Sequence, residues 1–193
     1  MNDFGLYFTL GREHIADLNG LDHILFVAAL CLRYVFADWK KLVILVTAFT
    51  IGHSITLALS VFNIIHISTK HIEFLIPVTI IITAASNLFV KKFTYKSKYP
   101  FIYFIALLFG LIHGLGFSNY LKSLLGRGET IVVQLLAFNI GLEFGQLLIV
   151  LAVLLLTFIC TNVIKINRRE YIVFISGAIM AIAAQMALQR IPF

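Results

Sequence analysis

Two ionisable residues, His113 and Glu143, lie inside apolar runs long enough to cross a membrane. The runs read FIYFIALLFGLIHGLGF over 101–117 and IVVQLLAFNIGLEFGQLLIVLAVLL over 131–155. An ionisable group in hydrocarbon costs several kcal/mol unless it is paired, hydrated or turned toward the bundle interior. Other apolar stretches carry the same kind of group, Asp22 and His23 in GLDHILF and His53 in TAFTIGHSITL, and the polar amide of Asn139 stands four residues before Glu143. Three imidazoles, two carboxylates and an amide make a credible transient site for a divalent transition metal. Neutral imidazole binds such ions well, and a carboxylate offsets their charge in low dielectric. Cys31 and Cys160 stand far apart in apolar sequence and form no CxxC pair, so they read as buried hydrophobes. A site poor in thiolate suits an ion that must be released again.

Each residue also has a plainer explanation. A buried His or Asn can be interhelical glue worth about 1 kcal/mol. Asp22 can cap a helix that starts after Asn19-Gly20. His14, His66 and His71 read as interfacial. Glu143 is the hardest to explain by packing, because a mid-span carboxylate must be protonated, paired or metal-bound.

The elements that position these groups are membrane helices. Of 193 residues, 61% are hydrophobic and only 12% charged, about half the 25% or so usual in soluble domains. The fold class is all-α: a single polytopic transmembrane bundle over 1–193. About six spans are expected near 20–37, 41–62, 72–91, 100–120, 131–160 and 170–189, each near the ~20 residues a bilayer needs. An interfacial or partly inserted helix carrying Arg12, Glu13, His14 and Asp17 precedes them and should end at Asn19-Gly20. The start, MNDFGLYFTLGREH, lacks a basic n-region, so a cleaved leader is not expected. No repeat or low-complexity tract is evident.

Lys and Arg fall ten to one set of connectors and five to the other. The richer set (Arg33, Lys40, Lys41; Lys91, Lys92, Lys96, Lys98; Lys165, Arg168, Arg169) should be cytoplasmic. Both termini then lie outside a bacterial inner membrane. The net charge of +6 follows from topology, and nucleic acid is not an expected partner. On helical wheels, Thr50, His53, Thr56 and Ser60 share a face, as do Thr79, Thr83, Ser86 and Asn87, and Asn139, Glu143 and Gln146. Gly110-x-x-x-Gly114 and Gly141-x-x-x-Gly145 are seams for close helix approach or self-association. On the fifth span the glycines fall opposite Asn139 and Glu143. One neighbour should therefore pack the smooth side and another the polar side.

At these residues the chain resembles the HupE/UreJ family of hydrogenase and urease accessory membrane proteins. The matching segments are GLDHILF (20–26), VTAFTIGHSITLAL (46–59), FGLIHGLGFSNYL (109–121) and LLAFNIGLEFGQ (135–146). The resemblance implies a permease of six or seven spans, with nickel or cobalt as cargo. His23, His53 and His113 would be its ligands and Glu143 the acidic partner. Nickel permeases of this kind resemble H-x5-D-H followed by F-H-G-x-A-H-G-x-E. Here seven residues separate His14 from Asp22, Phe109 stands at the first His of the second motif, and Gly116 stands at its Glu.

Three functions follow as expectations. The first is a permease for a divalent metal (nickel or cobalt, with zinc as a further ligand) through Asp22, His23, His53, His113, Asn139 and Glu143. The second is an intramembrane hydrolase or transferase near the outer leaflet, metal-dependent or His-based, with Ser54, Ser118 and Asn119 as nucleophile-side candidates. No HExxH or GxSxG accompanies them. The third is an accessory or assembly protein with a second copy or a metalloenzyme-maturation protein as partner. No organic cofactor is expected, and no GxxxxGK[ST] loop is present for nucleotide.

Overall fold

The apolar runs build α-helices because they lack the clustered turn residues that would interrupt them. In a computed structural model of the chain, these are α1 (Asp3–Ile15), α2 (Asp22–Cys31), α3 (Trp39–Val61), α4 (Thr69–Phe89), α5 (Ile102–Leu124), α6 (Ile131–Phe158) and α7 (Arg168–Gln189). The structure describes residues 3–18, 20–65, 68–89, 102–124 and 131–192, with side chains except at Asp3 and Asn119. A 3₁₀ turn (Phe36–Asp38) leads into α3, and a π turn (Ile159–Val163) ends α6. The all-helical expectation therefore holds among the described residues. His66, the lysines of 91–98 and Arg127 lie outside them.

Four helices among the described residues are long and apolar enough to cross a bilayer: Phe36–Val61, Thr69–Phe89, Ile131–Val163 and Arg168–Gln189. Their outward faces carry exposed Leu148, Leu151 and Leu155 on α6 and Phe174 and Leu188 on α7, as lipid contact requires. Where a first span is expected over 20–37, the helix runs only ten residues, Asp22–Cys31. At 1.5 Å per residue that is about 15 Å, roughly half the hydrocarbon thickness. Just beyond its end, Arg33 turns inward and donates to Asn87 and Ser86, at the end of α4's polar stripe. Helix α1 ends at Ile15, short of the expected Asn19-Gly20.

Glycines set the closest contacts. A Cβ on Gly52 would lie 2.2 Å from the Leu107 carbonyl oxygen, and one on Gly110 would lie 2.1 Å from that of Phe49. Gly114 in turn abuts His53 and Thr56, so positions rise together and α3 and α5 run parallel. The same reading makes α1 parallel to α6: Gly141 meets Phe8 and Gly145 meets Arg12 and Ile15. The opposite face of α6 bonds to α3, where Thr47 donates to Glu143 at 2.6 Å and Thr50 to Gln146 at 2.7 Å. The two-sided role expected for this helix is thus present.

Helix α7 returns antiparallel to α4, with Arg169 donating to the carbonyls of Asn87 and Leu88 near one end. Helix α2 runs parallel to α4, since Asn87 donates to the Ala29 carbonyl while Asp22 shares a cavity with Glu73 and Ile76. His23 sits beside His14, which packs on Phe138 near the start of α6, whereas Tyr34 and Phe36 share a cavity with Leu154, Thr157 and Thr161 near its end, so α2 runs with α6 as α1 does. Helices α1 and α2 form one interrupted path through the bundle. The end of α1 at Ile15 and the start of α2 at Asp22 separate His14 from His23.

Candidate metal centre

Three helices each deliver one imidazole to a common point. His14 comes from the last turn of α1, His23 from the first turn of α2, and His53 from the middle of α3. One ligating nitrogen from each lies within 4.8 Å of the other two. Two nitrogens bound to one ion at about 2.1 Å are at most about 4.2 Å apart. Three nitrogens spaced evenly about one ion at that distance are about 3.6 Å apart, so an inward shift of each imidazole by under about 1 Å would bring all three into coordination. His14 Nε2, His23 Nε2 and both nitrogens of His53 are buried without a hydrogen-bond partner. Buried polar atoms are ordinarily satisfied, so three converging imidazoles with orphaned nitrogens fit an electron-pair acceptor between them.

His113 stands beside the trio, its ring 5.1 Å from that of His23. The Thr79 hydroxyl donates to the Ile76 carbonyl at 2.7 Å and lies 3.1 Å from His113 Nε2. With its proton committed, the Thr79 oxygen accepts from Nε2–H. That tautomer leaves Nδ1 with a bare lone pair, and Nδ1 is buried and unpartnered. A ligating imidazole is commonly oriented through its other nitrogen in this way. Phe26 and Phe49 pack against His113 at 5.2 Å each, while Phe117 lies 3.7 Å from His14 and stacks on Phe138. These rings form an aromatic wall on one side of the imidazoles.

A cavity of about 380 Å³ leads inward to these groups; His14, Asp22, His23, Glu73, His113 and Arg190 line it. Asp22 does not cap α2; its Oδ2 accepts from Arg190 at 3.0 Å, and its Oδ1 is buried and unpartnered. His53, fully buried, lies behind the cavity.

Of the six residues expected at a metal site, Asp22, His23, His53 and His113 come together. Asn139 and Glu143 do not line the cavity: Asn139 donates to the Leu135 carbonyl, and Glu143 accepts from Thr47. The Oδ1 of Asn139 is buried and unpartnered. His14 is the residue that sequence reasoning missed, having been read as interfacial. Its signal was its place one turn before the Asp17–Gly20 break, opposite Asp22-His23. His71 is exposed, as expected. Ser54 and Ser118 donate to the carbonyls of Thr50 and Leu115 on their own helices, so neither hydroxyl is held by a base.

Residues 1–190 match the sequence model of the family described as HupE / UreJ protein. No curated protein and no solved structure matches the chain.

Proposed function

The chain belongs to the HupE / UreJ family, and from that premise we propose that it is a permease for a divalent transition metal, nickel or cobalt. The observation that carries this is the trio of His14, His23 and His53, whose buried, unbonded nitrogens converge from three helices. His113 adds a fourth imidazole and Asp22 a carboxylate beside it. Three or four neutral nitrogens with one carboxylate suit borderline ions such as Ni²⁺ and Co²⁺. The distribution of Lys and Arg supports an inner-membrane orientation with both termini outside. The ion enters past Glu73, rests on the trio and leaves along α6, where Asn139 and Glu143 stabilise its charge. The interrupted α1–α2 path matches a general feature of transporters, in which sites form where helices are broken.

Accumulation of ⁶³Ni or ⁵⁷Co by cells producing the full chain tests this reading, together with Co²⁺ titration of the purified protein. His53→Ala should abolish both at unchanged membrane abundance. Undiminished accumulation in His53→Ala and His23→Ala would defeat it.

The hydrolase reading retains one favourable observation, since three histidines beside an open position also suit a zinc-bound water. It requires an ion that stays. A stoichiometric zinc that survives dialysis, without uptake, would favour it.

A further inference from the structure

Arg190 is an unexpected lining for a cavity that admits cations. Its guanidinium is held by Asp22 Oδ2, and the other Asp22 oxygen is buried with no partner. Asp22 immediately precedes His23 of the trio. Exposed Glu73 lines the same cavity, and Glu73 and Arg190 together also line an adjoining space of about 330 Å³. The guanidinium therefore has two carboxylates within its surroundings, one inward and engaged, the other toward the mouth.

With neutral imidazoles, the charges of Asp22 and Arg190 cancel. A divalent ion on the trio brings two positive charges next to a carboxylate that already holds a cation. Like charges this close repel, whereas a carboxylate oxygen is a favourable ligand for the ion. We infer that Arg190 is a charge-switching gate, holding Asp22 while the trio is empty and passing to Glu73 when a divalent transition ion draws Asp22 onto itself. A monovalent cation gains less from Asp22 and displaces the guanidinium less readily, so the pair grades entrants by charge. Return of Arg190 to Asp22 weakens the hold on the ion and supplies the release that conduction requires. An ion shifts such an equilibrium only by its differential affinity for the two states. Each partner's removal must therefore change affinity in a definite direction.

This gate rests on the divalent-metal reading, and one titration separates the two. Detergent-purified full-length protein is titrated with Co²⁺ and followed by visible absorption, as wild type, Arg190→Gln, Arg190→Lys, Glu73→Gln and the Arg190→Gln/Glu73→Gln double variant. Size-exclusion profile and circular dichroism confirm that each is folded. Arg190→Gln should bind about tenfold more tightly, equivalent to about 1.4 kcal/mol, and Arg190→Lys should stay near wild type. Glu73→Gln should bind several-fold more weakly, and that effect should vanish in the double variant, because no guanidinium then needs a second partner. Wild-type affinity in Arg190→Gln, or a Glu73→Gln effect undiminished in the double variant, overturns the gate and leaves the metal site standing. Absence of cobalt absorption in wild type and Arg190→Gln alike overturns both.

Discussion

The Thr79 oxygen lies 3.1 Å from His113 Nε2 while its own proton goes to the Ile76 carbonyl. A hydroxyl on α4 thereby fixes the tautomer of an α5 imidazole and leaves its buried, unpartnered Nδ1 with the free lone pair. Thr79→Val should strand a buried N–H and lower stability by about 1–3 kcal/mol. If His113 ligates, Co²⁺ affinity should fall by about 10–100-fold, the usual effect of losing such an orienting group. Thr79→Ser should restore both. Cobalt titration and thermal unfolding in detergent check the pair of outcomes.

The trio makes a prediction that the H-x5-D-H comparison does not, because His14 sits two residues further from Asp22 than that spacing allows. His14→Ala, His23→Ala and His53→Ala should each weaken Co²⁺ binding by at least about tenfold, the scale of losing one ligand-orienting contact or more. Exposed His71→Ala should leave it unchanged. Equal affinity in His14→Ala and wild type would remove α1 from the site.

Glycine contacts predict stability without reference to any ligand. Gly52→Ala and Gly110→Ala place a methyl about 2 Å from a carbonyl oxygen of the facing helix. Backbone cannot step aside as a flexible side chain can, so α3 and α5 must separate. Overpacking of this kind costs about 1–3 kcal/mol or more. Gly177 on α7 has nothing within 4 Å, and Gly177→Ala should be neutral or stabilising by up to about 1 kcal/mol. Thermal unfolding of the three variants in one detergent orders them.

These contrasts show what periodicity could and could not reveal. Apolar run lengths located the long helices, and small-xxx-small spacing marked Gly110 and Gly141 as points of close approach without naming α3 or α1 as the partner. Helical wheels also placed Glu143 and Gln146 on a face apart from those glycines. Hydropathy could not see that α2 stops at Cys31, because the apolar run continues past it through Leu32 to Tyr34, Val35 and Phe36. Nor could it bring His14 to His23, since the packing of α1 on α6 decides that meeting. Glu143 looked like part of the same centre because its isolation in the apolar run is conspicuous, while its bond to Thr47 is 96 residues distant in sequence.

That bond gives Glu143 its own test. Gln is nearly isosteric with Glu, and its carbonyl oxygen can still accept from Thr47, so Glu143→Gln should keep stability within about 1 kcal/mol of wild type. Removing the charge should spare Co²⁺ binding at the trio, because Glu143 does not line that cavity. Passage along α6 should nevertheless suffer, since a divalent ion leaving the imidazoles would lose its only anionic station on that helix. Uptake of ⁵⁷Co by proteoliposomes should therefore fall at least about tenfold, a barrier increase near 1.4 kcal/mol, with an unchanged cobalt titration. Parallel losses of binding and uptake would instead place Glu143 in the metal site, and wild-type uptake would take it off the path.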